Sequence, residues 1–179
     1  PENPTVRYRT MTELLGMSEG DGEVRTAKEA IMSTGPVPKI FEQQRPGGFW
    51  GEPDRFYRFK YKGTVWNLIL LAELRADPED PRVKNACEFL LNNSQHRESG
   101  GFSDRGDHST GGTPDGVMPC LTANMAYCLV RLGYGDDERV IKAMSWIAKY
   151  QRFETQPPPS KDWPYRFERC WCPRDCRSS

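Results

Sequence analysis

A pattern that recurs three times limits what this chain can fold into more than any other feature. Val24, Val83 and Val140 each open a V-x-x-A motif completed by Ala27, Ala86 and Ala143, with Ala30, Phe89 and Trp146 three residues further on. The valines are 59 and 57 residues apart. Leu15, Leu74 and Leu132 stand eight or nine residues before them, and Thr5, Thr64 and Thr122 stand ten before each leucine. Downstream come Gln44, Gln95 and Gln151, then Gly47-Gly48-Phe49 and Gly100-Gly101-Phe102, with Trp163 in the corresponding place of the third copy. A period of this length belongs to a supersecondary unit that buries its apolar face against its neighbours.

The local patterns make each unit a helix, a tight turn, a second helix and a glycine-rich or proline-rich return loop. Thr64 to Leu74 is apolar almost all round, which suits an inner helix buried on both sides. Asp77-Pro78-Glu79-Asp80-Pro81 then offers an aspartate cap and a proline at the first helical position, where a missing N–H costs nothing. From Pro81 the residues Val83, Ala86, Cys87, Leu90 and Leu91 fall on one face, opposite Arg82, Lys84, Asn85 and Glu88, which predicts a half-exposed outer helix. In the third unit Pro119 opens the inner helix and Gly133 stops it. Asp136 or Asp137 caps the outer helix, whose stripe is Val140, Ala143, Met144, Ile147 and Ala148. The first unit is the least regular, because Lys28 interrupts its stripe. The fold class is therefore all-α, an array of three helix hairpins. The units span about 5–49, 64–102 and 119–163 of one domain over residues 1–169, and a Cys-rich, irregular tail completes the chain at 170–179.

Composition narrows the partners. With 25 Lys+Arg and 25 Asp+Glu the net charge is zero, so no overall field draws the chain to nucleic acid or anionic lipid. The longest nearly apolar run, Val65 to Leu74, is too short to span a bilayer. The six cysteines lack the spacing of a disulfide framework, which points to a reducing, cytoplasmic setting. The alternation Arg55-Phe56-Tyr57-Arg58-Phe59-Lys60-Tyr61-Lys62 has the residue types that stack bases and touch phosphates. Its partial echo at Tyr165-Arg166-Phe167-Glu168 fits a return loop better, so nucleic-acid binding is not expected.

The stretch from Ala86-Cys87-Glu88-Phe89-Leu90 through Gln95 to Gly100-Gly101-Phe102 resembles the QW-type repeat of squalene and oxidosqualene cyclases and the repeat of protein prenyltransferase β subunits. The resemblance covers about residues 5 to 169 and implies an α/α-toroid. In that fold, inner helices line an apolar cavity for a polyprenyl chain. By this resemblance Thr64, Trp66, Asn67, Thr122, Asn124 and Tyr127 lie on cavity-lining helices as candidate ligand-binding residues. Three hairpins are about half of a toroid, so the implied arrangement is a half-toroid completed by self-association, another subunit or further chain.

The chemistry of the resembled enzymes is only partly present. The acidic D-x-D-D cluster that triterpene cyclases use to protonate an alkene is absent, and the third inner helix reads Cys120-Leu121-Thr122-Ala123 instead. The loop after Phe102 carries Asp104, Asp107, His108 and Asp115, candidates for an acid or for metal ligation of the prenyltransferase kind, without that family's D-x-C spacing. Cys170, Cys172 and Cys176 offer three thiols where zinc and iron–sulfur centres usually take four ligands. No cofactor is assigned. Two functions are expected to compete: a terpenoid cyclase/prenyltransferase-like protein that binds a hydrophobic isoprenoid-type ligand, and a non-catalytic helical-repeat interaction module.

Overall fold

The computed structural model describes residues 2–150; the cysteine cluster, Gln151 and Trp163 lie outside them. The described chain is mainly helical. Helix α1 (Pro4–Arg9) is prolonged by a wide turn over Thr10–Leu14, and α2 (Gly22–Ser33) packs against it. A short α3 (Pro36–Phe41) comes next, then α4 (Thr64–Glu73), α5 (Pro81–Asn93), a two-stranded hairpin of β1 (Gly106–Asp107) and β2 (Gly111–Gly112), α6 (Pro119–Leu129) and α7 (Glu138–Tyr150). Helices α4 and α6 pack together, each with its outer partner, α5 or α7. No described helix is long and apolar enough to cross a membrane.

The hairpins repeat because their caps repeat. Asp21, Asp80 and Asp137 all stand three residues before the motif valine, and each accepts the backbone N–H two residues on, at 2.8 to 2.9 Å. Of the two aspartates available to cap α7, Asp137 is thus the one that does so. Such a cap contributes about 1 kcal/mol. At the other end of each inner helix one residue turns left-handed: Gly16, Arg75 and Gly133, with φ of 64, 61 and 88°. The Ala76 N–H reaches back to the Leu71 carbonyl at 3.0 Å, the bond that closes a helix with such a turn. The motif valines and alanines are buried to within 1% of full cover.

Two return loops are built alike. Gln44 donates to the Arg82 carbonyl at 2.9 Å and Gln95 to the Arg139 carbonyl at 2.7 Å, in each case the residue before the next motif valine. Arg45 N–H bonds the Phe49 carbonyl as His96 N–H bonds that of Gly101. Trp50 N–H donates to Thr64 Oγ1 at 3.0 Å and Phe102 N–H to Thr122 Oγ1 at 2.8 Å. These bonds pair Gly48 with Gly100 and Trp50 with Phe102, one residue out of step with the alignment of the two Gly-Gly-Phe triplets. The second loop holds one extra residue between glutamine and glycine. Both paired glycines have φ of +86° and press on the next outer helix: a side-chain carbon at Gly48 would collide with the Asn85 carbonyl, and one at Gly100 would lie 2.9 Å from the Lys142 carbonyl carbon.

The first hairpin departs from the array. Thr5, Arg9 and Glu13, spread along α1 and its extension, all meet the last turn of α4: Thr5 Oγ1 donates to the Leu74 carbonyl at 3.0 Å, Arg9 faces Glu73 at 3.7 Å and Glu13 pairs with Arg75. Helix α1 therefore crosses the C-terminal end of α4, whereas a side-by-side array would set Thr5 level with Thr64. The expectation of three equivalent hairpins holds for the second and third. The all-round burial expected of Thr64 to Leu74 is incomplete too, since Leu70 is 44% exposed.

The outer helices of those two hairpins are tied by a fork. Arg139 gives Nη1 to Glu88 Oε2 at 2.9 Å and Nη2 to Glu88 Oε1 at 2.8 Å, while also holding Asp137. Bonding to Arg139 holds the Glu88 carboxyl below its usual range. The Glu88 and Arg139 side chains are 43% and 37% exposed, so solvent screens the pair and its contribution is about 1 kcal/mol or less. Because the folded-state value is depressed, this contribution is present above the unfolded carboxyl value of about 4.3 and is lost as pH falls through the folded one. The stability difference between wild type and E88Q in urea melts should be constant near neutrality and close steadily below about pH 4.

The loop glycines generate a second expectation. G48A and G100A should each lose about 2–4 kcal/mol in urea denaturation, from left-handed strain and overpacking together. G16A, with the same strain but no atom within 4 Å, should lose only about 1–2 kcal/mol.

Candidate functional site

The loop that carries the four candidate catalytic residues folds as a glycine-rich hairpin laid over the C-terminal end of α5. Ser103 N–H donates to the Ser94 carbonyl at 2.8 Å, Ser94 Oγ to the Ser103 carbonyl at 2.8 Å, and Gly112 N–H to the Gln95 carbonyl at 2.9 Å. Side-chain carbons at Gly106, Gly111 and Gly112 would strike the carbonyls of Asn93, Gln95 and Ser94, so the sequence is glycine where backbone meets backbone.

The four candidates divide into two pairs. Asp104, with a side chain only 16% exposed, accepts from Arg105 Nε at 3.0 Å and faces Arg58 at 3.9 Å. Asp115 faces the same Arg105 at 3.5 Å, so one guanidinium links these two carboxylates. Asp107 turns inward on its own loop: its Oδ1 accepts Ser109 N–H at 2.8 Å, Ser109 Oγ–H at 2.6 Å and Thr110 N–H at 2.9 Å. These bonds, the Ser109 hydroxyl first, bring its carboxyl down to about 2. A carboxylate so held is a poor proton donor at neutral pH. His108 sits exposed at the tip, its carbonyl accepting from Arg97 Nη2 at 2.9 Å. Among the described residues no group of three or more His, Cys, Asp or Glu side chains is arranged to hold a metal ion.

The six candidate ligand residues also divide. Thr64 and Thr122 are fully buried and engaged by the return loops. Asn67 is buried and donates to the Gly63 and Lys62 carbonyls at 3.0 and 3.1 Å, tying α4 to the turn before it. Trp66, Asn124 and Tyr127 instead lie on the open side of α4 and α6. The Trp66 ring is flanked by Tyr57 and Tyr61, with centroids 6.2 and 5.4 Å away, and its Nε1 donates to the Tyr57 carbonyl at 3.1 Å. Tyr127 is 47% exposed and its hydroxyl donates to Glu73 at 2.9 Å, joining the two inner helices across this face. Leu70 and Glu73 belong to the same face and escaped the sequence reading, although their spacing from Trp66, four and seven residues, carries the signal.

A cavity lies elsewhere. Beside the first return loop is an open cavity of about 530 Å³, lined by Gln43, Gln44, Arg45, Trp50, Phe59 and Lys62 among others. Nothing in the sequence pattern marks it. No protein-family model, curated protein or solved structure matches the chain.

The geometry of Asp107 can be read directly. Carboxyl-carbon NMR should show it titrating near about 2, and replacing Ser109 with alanine should move its midpoint upward, because the largest bond holding the charge is removed.

Proposed function

We propose that the chain is a ligand-binding helical-repeat protein of the α/α-toroid type, in which the open face of α4 and α6 takes the apolar chain of an isoprenoid-type molecule. The observation that carries this reading is that Leu70 and Tyr127 are 44% and 47% exposed on two packed inner helices, with half-buried Trp66 one turn from Leu70. Soluble domains seldom leave large apolar side chains in such a row without use. Glu73 and the Tyr127 hydroxyl supply a polar end to the stripe. Asp104 and Asp115, linked through Arg105, and Asp107 and His108 at the hairpin tip are retained as the acids of the site only on the resemblance, and no reaction is assigned to them. A half-toroid and a reducing, cytoplasmic setting belong to the same proposal, the latter supported by the unpaired thiols of Cys87 and Cys128.

The second reading, a helical-repeat interaction module that self-associates or takes a partner subunit, draws on a different surface. Val130 and Met144 are 43% and 39% exposed on the third hairpin. Their counterparts one repeat earlier are Ala72 and Cys87, 1% and 0% exposed.

Titration with a fluorescent polyprenyl diphosphate, with and without zinc, separates the two. The first reading expects saturable binding that W66A and Y127A each weaken about tenfold, about 1.4 kcal/mol, in line with the burial of an aromatic ring. Absence of binding in both zinc states, with concentration-dependent association abolished by M144E, would replace it with the second.

A further inference from the structure

The two return loops are alike only as far as Trp50 and Phe102; beyond these residues they diverge. In the second hairpin the chain from Ser103 to Gly112 folds back over the end of α5 and satisfies the carbonyls of Ser94 and Gln95. In the first hairpin the equivalent residues are Gln43 and Gln44, by the shared bonds of Gln44 and Gln95 to the next outer helix. No described residue donates to the Gln43 or Gln44 carbonyl. The first loop runs 20 residues from its glutamine to the inner-helix threonine against 27 in the second, too few to make the covering hairpin. The cavity of about 530 Å³ lies at this place, beside residues 42–46.

We infer that this cavity is a docking site for a glycine-containing β-hairpin segment of acidic character, whose two arms add to the Gln43–Gln44 backbone as Ser103 and Gly112 add to Ser94 and Gln95. The molecule supplies its own example of the occupant. Ser103–Gly112 is a short β-hairpin whose glycines permit close approach and whose two arms each give one N–H, from Ser103 and Gly112, to the carbonyls at 2.8 and 2.9 Å. Strand addition of this kind draws its affinity from main-chain bonds and its selectivity from flanking side chains. The flanks here are cationic: Arg45 and Lys62 are exposed and form no ion pair among the described residues, and they outnumber the one acid of the lining, Glu42. Phe59, 40% exposed, adds an apolar wall, with Trp50 behind it. The inference does not depend on what binds the α4–α6 face, which is a separate surface.

The test uses the full chain and, as probe, a synthetic peptide of residues 103–113 with blocked ends, the segment that fills the equivalent place. Amide NMR should show saturable shifts confined to residues 42–46, 50–51 and 59–62. R45E/K62E, at two exposed side chains, should raise the half-saturation concentration about tenfold while the remaining spectrum stays unchanged. Peptides with alanine in place of the last two glycines, or asparagine in place of both aspartates, should also bind more weakly. The inference is overturned if the peptide causes no saturable shift, if a scrambled peptide binds as well, if the shifts centre on α4 and α6, or if inorganic phosphate alone reproduces them, which would make the recess an anion site.

Discussion

The clamp between each return loop and the next outer helix is the constraint on which the described architecture depends. A glutamine side chain donates to a first-turn carbonyl from outside the helix, and four or five residues later a left-handed glycine lies flat on the same helix two residues past the motif valine. The bond sets the height of the loop on the helix, and the missing side chain sets the distance. With both fixed, the next inner helix can begin only where its threonine receives the Trp50 or Phe102 N–H. Burial of the valine–alanine stripe supplies most of the driving force, but burial is not directional. The clamp chooses among the many ways in which greasy hairpins could stack.

That same clamp explains why the first hairpin escapes the array. Among the described residues Thr5 accepts no return-loop N–H and donates instead to the Leu74 carbonyl at the far end of α4. Its outer helix has Ala30 where Phe89 stacks on Phe49 at 5.1 Å and Trp146 packs against the second loop. The exposed residues of α2 are mainly polar, Glu23, Arg25, Thr26 and Lys28 among them. The same hairpin also carries exposed apolar residues, Leu14 at 80% and Leu15 at 67%.

Much of this was legible in the sequence because helix boundaries and repeat period are written in residue types that act locally. Asp80-Pro81 starts a helix and Leu132-Gly133 ends one whatever surrounds them, and both elements stand where the pattern puts them. The one-residue offset between the two glycine pairs was not legible, since Gly47-Gly48-Phe49 and Gly100-Gly101-Phe102 match as text while the hydrogen bonds pair Gly48 with Gly100. Nor was the crossing of α1 over α4, which rests on ion pairs such as Glu13 with Arg75, 62 residues apart. At the site the failure has a clear cause. Thr64, Asn67 and Thr122 attract attention as polar residues on apolar helices, yet buried polar side chains are held by hydrogen bonds, and theirs serve the loops. Leu70 and Tyr127, which are exposed, and half-buried Trp66 differ from core residues only in their facing, which a single sequence does not fix. The carboxylates over residues 104–115 likewise share a stretch of chain without sharing a centre.

The cavity beside the first return loop lies where that loop lacks the covering hairpin of the second. Native-state hydrogen exchange at Trp50 and Phe102 tests the underlying claim most directly, because these amides close the two clamps onto Thr64 and Thr122 and lie in no helix. The account predicts that both exchange as slowly as the central amides of α4 and α6, opening only with the hairpins they join. Exchange at either position far faster than in those helices, with the helices still protected, would show that the loops are passive connections and that the array is held by burial alone.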